Sequence, residues 1–369
     1  MLLTATLVGR LPTAMAPLAL LLAARADHAG TAMGAMLAAL YALSSAVGQP
    51  LLGRAVDRRR LAGVALAAAA VAGSAFAALA ILGTGRNPAL SCALVAVAGL
   101  ATPPLEAGLR AMWPRLVAPQ DQQAAFALDA TAQELVYVAG PALVTVLCQL
   151  FSPAAALHVC AVLGLAGTAL VASRRPARSR SSARRSAHWL GPLRSPGLLV
   201  LLGAAALLGA SLGSFNVYAL TAADRHGTGW LAGALPAALS LGSLLGGIVW
   251  ARIAHSAPTG QLLRTVSVRF AVPFALFLLT PEPALAVAAA ALPGLFLAPW
   301  LAEAFRLGDR LAPLGTATEA AAWLVAVIGL GGATGTALAG QLSANGPVPV
   351  AALTLTSAAA AALTLSLRR

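Results

Sequence analysis

Residues 174–196 read RRPARSRSSARRSAHWLGPLRSP. The stretch holds seven arginines, with Ser and Pro between them, so it can neither pack into a core nor enter lipid. On either side lie apolar runs of about 20 residues, the length that carries a helix across a hydrocarbon core of about 30 Å. Six runs are expected before it, at roughly 6–24, 31–53, 61–82, 88–110, 126–150 and 154–173. Six more are expected after it, at roughly 197–221, 228–251, 263–280, 284–305, 317–340 and 347–367. The arginine-rich stretch is therefore a linker. The predicted organisation is an N-terminal bundle over 1–173, the linker over 174–196 and a C-terminal bundle over 197–369.

Composition agrees with a chain dissolved mainly in lipid. Of 369 residues, 59% are hydrophobic and 9% are charged, where a soluble domain carries about 25% charged residues. Backbone groups in lipid need internal partners, which leaves helices or closed barrels. A barrel would show short alternating strands, whereas these runs are continuous and rich in Ala, Leu, Val and Gly. The fold class expected is an all-α membrane protein, with twelve transmembrane helices in two pseudo-symmetric six-helix bundles.

The net charge is +13, and every basic residue is Arg. In a soluble protein that balance would suggest nucleic acid. Here the arginines cluster between apolar runs, so they report topology and no nucleic-acid partner is expected. With the N-terminus inside, nineteen arginines fall on the inner side and three (Arg25, Arg86 and Arg225) on the outer. Positive loops stay cytoplasmic, so both termini are expected in the cytoplasm of an inner-membrane protein. Arg10 and Arg269 fall within or beside spans and are left out of that comparison. Cys92, Cys148 and Cys160 lie in or beside apolar runs without metal-ligand spacing, and read as small polarizable packing residues. The first run could pass for a signal peptide, but it is one member of a series and has a counterpart in the second half.

The two halves resemble each other. Gly99-Leu100, Pro104 and Arg115-Leu116 recur as Gly294-Leu295, Pro299 and Arg310-Leu311, each 195 positions on. Leu51-Leu52-Gly53 recurs as Leu244-Leu245-Gly246, and Gly30-Thr31 as Gly227-Thr228, each of the latter just after a histidine, His28 or His226. Thr131-Ala-Gln-Glu134 is echoed by Thr316-Ala-Thr-Glu319. Duplication of a six-span unit suits a transporter, because two related halves can rock about a central site.

Between spans two and three, Gly53-Arg-Ala-Val-Asp57-Arg58-Arg-Arg60 resembles the signature loop of the major facilitator superfamily. That signature has a Gly, an Asp-Arg pair four residues on, and a further basic residue. Arg59 stands where the pattern has a second Gly. The matching loop of the second half, Gly246-Gly-Ile-Val-Trp-Ala-Arg252, lacks the Asp. Gly140-Pro141 in span five is similar to the core of a motif in the family's proton-driven exporters. The resemblance implies alternating access, with Gly53, Asp57, Arg58 and Arg60 in a cluster that closes the cytoplasmic side in one state. It also implies a monomer and a cavity surrounded by the first, fourth, seventh and tenth spans.

The residues themselves point the same way. An Asp at the inner end of span two can face the positive N-terminal end of a neighbouring helix, and nearby arginines can pair with carboxylates. Carboxylates at membrane depth are costly and are functional candidates by default; here they are Glu106, Glu134, Glu303 and Glu319. Glu106 lies one helical turn from Arg110, and Glu303 three residues from Arg306, so each can form a structural or gating pair or touch substrate. Glu134 and Glu319 occupy matching places, about two turns from the cytoplasmic end, with no Arg within four residues on their own helices. They read as gate residues partnered by Arg110 or Arg306, as proton carriers, or as incidental. Burial favours the protonated form of a carboxyl group, which is what proton coupling needs.

Tyr137, Phe215, Asn216, Tyr218, Trp300 and Trp323 are cavity candidates or interfacial anchors; on the family's arrangement Asn216 and Trp300 would line the cavity. Pro12, Pro17, Pro104, Pro141, Pro236 and Pro299 can kink spans. Gly329, Gly331, Gly332, Gly335 and Gly340 allow close helix contact. No Gly-Lys-Ser/Thr loop for ATP is present, nor a metal-ligand pattern, a catalytic set or a soluble domain, so no cofactor is implied. The expected function is proton-coupled efflux of a small molecule, with protons and the lipid bilayer as its other partners. Uptake or facilitated diffusion of a sugar or metabolite by the same fold is the first alternative. A membrane enzyme or non-transporting scaffold is the second.

Overall fold

The computed structural model describes residues 2–178, 190–253, 257–278 and 283–366. The middle of the linker, with Arg180, Arg184 and Arg185, lies outside the described residues, as do Arg368 and Arg369. Among the described residues every regular element is a helix, and eleven are long and apolar enough to cross a membrane.

The chain begins with α1 (Leu2–Ala26), α2 (Gly30–Arg58) and α3 (Leu61–Leu82), then α4 (Pro88–Leu100) and α5 (Leu105–Leu116), which share one span. Next come α6 (Gln122–Leu150), α7 (Pro153–Ala172) and a single turn, α8 (Arg175–Arg178). The remainder comprises α9 (Pro196–His226), α10 (Leu231–Arg252), α11 (Thr259–Ala271), α12 (Pro283–Leu311), α13 (Ala317–Leu342) and α14 (Pro347–Ser366).

Two spans depart from simple rods, for the same reason. Proline lacks an N–H and pushes the residue before it out of the α region. Pro103-Pro104 breaks the fourth span between α4 and α5, and Pro273 turns the end of α11 into a 3₁₀ stretch over Val272–Leu278. The ninth expected span is thus a short helix followed by 3₁₀ turns. The motif Gly53–Arg58 is also helical, lying in the last turns of α2, with only Arg59 and Arg60 left for the turn.

The described helices group into two compact units. One comprises Met1–Met112, Leu135–Arg194 and Pro313–Ala326; the other Trp113–Glu134, Ser195–Ala312 and Val327–Arg369. In the first, Met15, Leu20, Leu37, Phe76, Leu79, Val95 and Leu157 form a buried core. Glycines bring its backbones together: a Cβ on Gly167 would lie 2.2 Å from Gly9 N, and one on Gly48 would lie 2.2 Å from Leu100 O. In the second, Gly242 and Gly294 repeat that device between α10 and α12, with carbonyls of Ala291 and Leu239 2.2 Å from the positions their Cβ atoms would take. Gly331 and Gly335 of α13 lie against Ala206 and Ala210 of α9, whereas Gly329 and Gly340 face open space.

Candidate functional site

In the first unit α2 and α13 touch at Gly53. A Cβ there would sit 2.9 Å from Ala322 Cβ and 3.0 Å from Thr318 O. One turn on, Asp57 Oδ1 accepts the Thr318 N–H at 3.1 Å and Oδ2 accepts the Glu319 N–H at 2.8 Å. These amides belong to the first turn of α13, where N–H groups have no partner within the helix and carry the positive end of its dipole. A carboxylate is the side chain that satisfies both at once. Glu319 itself is nearly buried, with Arg54 Nε 4.0 Å away. Gly191, in the left-handed region with φ 52°, presses on it so closely that a Cβ would lie 2.7 Å from Glu319 Oε2. The end of the linker and the end of α2 therefore meet at one acid.

Deeper in the same unit is a charged triad. Glu106 accepts from Arg110 Nη1 through one oxygen and lies 3.3 Å from Arg10 through the other. Both guanidinium side chains are buried, with exposures of 3% for Arg10 and 2% for Arg110. Sequence reasoning pairs Glu106 with Arg110 but leaves Arg10, which falls within a span, out of the topology comparison and without a partner. The signal was available, since an arginine in the middle of an apolar run needs an acid.

In the second unit Glu303 is wholly buried. Arg306 Nη1 donates to both its oxygens at 2.8 Å, and the Trp250 indole N–H donates to Oε1 at 3.1 Å. The end of α10, where Trp250 sits, is held from a second side. The Gln123 side-chain amide donates to Trp250 O at 3.3 Å and to Ile253 O at 3.1 Å. Further along α6, Glu134 is buried and accepts from Ser243 Oγ at 3.1 Å. Among the described residues it has no ion-pair partner. Beside it Gly247 admits Thr131, whose Oγ1 lies 1.9 Å from the place of a Cβ.

The matching acids are thus not equivalent. Glu319 lies in the first turn of α13, whereas Glu134 lies twelve residues into α6. The arginine near Glu319 is Arg54, neither Arg110 nor Arg306. Sequence reasoning also overlooks Asp129, a wholly buried acid on α6; the same suspicion of every acid at membrane depth would have found it.

The model of the Major Facilitator Superfamily matches residues 2–336. The chain belongs to the Major Facilitator Superfamily. Among curated proteins none matches the sequence. Solved structures similar in fold include a bacterial homologue of the iron transporter ferroportin in an outward-facing state, at 14% identity and a TM-score of 0.79, covering 99% of this chain and 98% of that one. The E. coli fucose:proton symporter is similar at 13% identity and a TM-score of 0.75, covering 100% of this chain and 97% of that one. The human organic anion transporter is similar at 16% identity and 0.69, covering 100% and 99%. At such identities the likeness is one of fold. The chain is a multi-pass membrane protein of a transporter family, and its substrate is not given by these neighbours.

Within that family fold the remaining candidates divide. Asn216 and Tyr137 are exposed, Tyr137 by 55%. Trp300 is fully enclosed, its indole N–H donated to Ser267 Oγ at 2.7 Å. Phe215 is also buried and packs edge-on against Phe274. Gly140 lets α6 approach α1, because a Cβ would lie 2.7 Å from Ala14 Cβ; Pro141 follows it inside α6. Arg58 and Arg60 are exposed at the end of α2 and the turn after it.

Proposed function

We propose that this protein exports a small molecule across the inner membrane by alternating access, in exchange for protons. Halves 1–173 and 197–369 rock about a central site, with both termini in the cytoplasm and the protein acting as a monomer. The observation that carries the proton in this reading is Glu134, a buried acid on a membrane span that meets a serine hydroxyl and no arginine among the described residues. An acid held by an arginine stays charged through a cycle; one beside a hydroxyl can take up and release a proton as its surroundings change.

The other charged groups serve as latches or as fixed struts in this mechanism. Asp57 on the α13 amides and Glu319 near Arg54 close one state and separate in the other. Glu303 with Arg306 and Trp250, and Glu106 with Arg10 and Arg110, hold helices at fixed depth. The scarcity of uncommitted charge favours an apolar, weakly polar or cationic cargo over a polyanion.

The test uses everted membrane vesicles holding an imposed pH gradient and a fluorescent pH reporter, challenged with drugs, sugars and amino acids. Wild type should dissipate the gradient with at least one compound, and Glu134→Gln should not. A Glu134→Gln variant that retains full uphill transport overturns the assignment. The opposite direction is the second reading, because Glu134 binds a proton whichever way cargo moves. The fucose:proton symporter that shares the fold makes sugars an essential arm of the panel.

A further inference from the structure

The first unit has a cavity that the transport reading does not use. A groove of about 1090 Å³ opens between α2, α3 and α4. Its walls are apolar: Leu52, Val64, Val71, Val97 and Leu100 line it, with Gly63 among them. Four exposed arginines, Arg58, Arg59, Arg60 and Arg178, also line it. No acid lines it among the described residues, and the nearby Asp57 carboxylate is committed to the α13 amides. Arg178 is held in place by its Nε donating to Ala172 O at 2.8 Å.

The dimensions match one lipid. From Leu61 at the start of α3 to Val71, the helix rises about 15 Å, half of a hydrocarbon core of about 30 Å. The groove therefore runs from the headgroup level of the arginine-rich side to the middle of the bilayer. Soluble anions would meet the arginines but gain nothing from the wall. A neutral lipid would fill the wall but leave four positive charges unmatched.

We propose that this groove is a binding site for one anionic phospholipid of the leaflet on the arginine-rich side. The phosphate sits among Arg58, Arg59, Arg60 and Arg178, and an acyl chain lies along α3 from Gly63 to Val71. Basic pockets between transmembrane helices recognise such headgroups through the charge of the lipid. The site is separate from the acids assigned to coupling, and it stands whether or not the protein moves protons.

Gly63 supplies an independent handle. A Cβ there meets nothing within 4 Å and Gly63 lines the groove, so a side chain at 63 starts into the groove without a clash at its Cβ. The experiment titrates purified full-length protein in detergent with phosphatidylglycerol, phosphatidylcholine of the same chains, and glycerol 3-phosphate, and reads bound lipid by native mass spectrometry. Wild type should retain one phosphatidylglycerol in preference to phosphatidylcholine, and glycerol 3-phosphate should not displace it. At about fivefold per arginine, Arg59→Gln with Arg178→Gln should weaken phosphatidylglycerol by about 25-fold. Gly63→Trp should abolish retention while keeping every arginine, at an unchanged thermal midpoint. The proposal is overturned by wild-type protein without headgroup preference, by displacement with glycerol 3-phosphate, or by a folded Gly63→Trp variant that binds like wild type. The Gly63 variant decides the matter alone if the arginine double variant does not fold.

Discussion

At the end of α2 a carboxylate reaches the start of α13; at the end of α10 a carboxamide from the start of α6 reaches the carbonyls of α10. The two regions lie in halves whose sequences echo each other, and they share a local pattern. Counted from Gly247, one residue after the Gly246 that matches Gly53 in the Leu-Leu-Gly repeat, Ala251 and Arg252 have the spacing that Asp57 and Arg58 have after Gly53. The difference lies in where the facing helix begins. Helix α13 starts at Ala317, so the Thr318 and Glu319 amides are orphans that Asp57 can satisfy. Helix α6 starts at Gln122, well before the segment that Gly247 touches. The backbone beside Gly247 is already hydrogen-bonded within the helix, and the first turn of α6 meets the end of α10 through the Gln123 side chain. What needs a partner instead is the frayed carbonyl end of α10, and Gln123 supplies donors to it. Helix length is thus the expected reason for the missing Asp of the second half.

The largest effect that sharpens this comparison belongs to the second region. Arg306→Gln leaves Glu303, wholly buried, with the Trp250 indole as its remaining hydrogen-bond donor among the described residues. Breaking one side of a buried pair costs about 3–5 kcal/mol, so the detergent-solubilised variant should lose most of its resistance to thermal unfolding. Adding Glu303→Gln should recover part of the loss. Arg54→Gln in the first region should cost less than about 1 kcal/mol, because Arg54 is partly exposed and 4.0 Å from Glu319. Equal losses at Arg54 and Arg306 would erase the distinction between a latch and a fixed strut.

Gly53→Val comes next. Its added atoms collide with Ala322 and the Thr318 carbonyl, and overpacking of this kind costs about 1–3 kcal/mol. Transport should fall along with stability, since the same contact sets the distance from Asp57 to the α13 amides. Asp57→Ala removes an anionic cap from a helix start, at about 0.5–2 kcal/mol, and Asp57→Asn should lose less because one oxygen still accepts. A Gly53→Val protein with wild-type transport and midpoint would mean that α2 and α13 do not rely on this approach.

Much of this was legible in the sequence, for stated reasons. The series of apolar spans and the pairing of Glu106 with Arg110 and Glu303 with Arg306 follow from run length and helical spacing. The ninth expected span, however, breaks at Pro273, and Gly191, at the end of the expected linker, packs on Glu319. The place of Asp57 at a helix start follows from charge and dipole. Illegible were features set by three-dimensional approach. Nothing in the order of residues says that Arg54, and not Arg110 or Arg306, faces Glu319, or that Gly191 presses on the same carboxylate. The apparent equivalence of Glu134 and Glu319 rested on a repeated Thr-Ala-x-Glu, but helix starts differ at the two sites. Trp300 could be placed on a span, yet only packing reveals that its indole is spent on Ser267.

The smallest effect is the most direct attempt to break the comparison. Ala251→Asp restores the acid that the second region lacks. If that acid was lost by drift, restoring it should stabilise the protein by roughly what Asp57→Ala removes from the first, about 0.5–2 kcal/mol. If the length of α6 forbids the bond, the new carboxylate gains no amide. Ala251 is only partly buried, so the change should then stay within about 0.5 kcal/mol of wild type, and transport should be unaffected. Thermal midpoints of the two single variants and of Gln123→Ala, which strips donors from the Trp250 and Ile253 carbonyls, separate the cases. A stabilised Ala251→Asp protein would mean that α6 frays at its start and presents amides after all. An unchanged one leaves Gln123 as the group that does in the second region, with opposite polarity, what Asp57 does in the first.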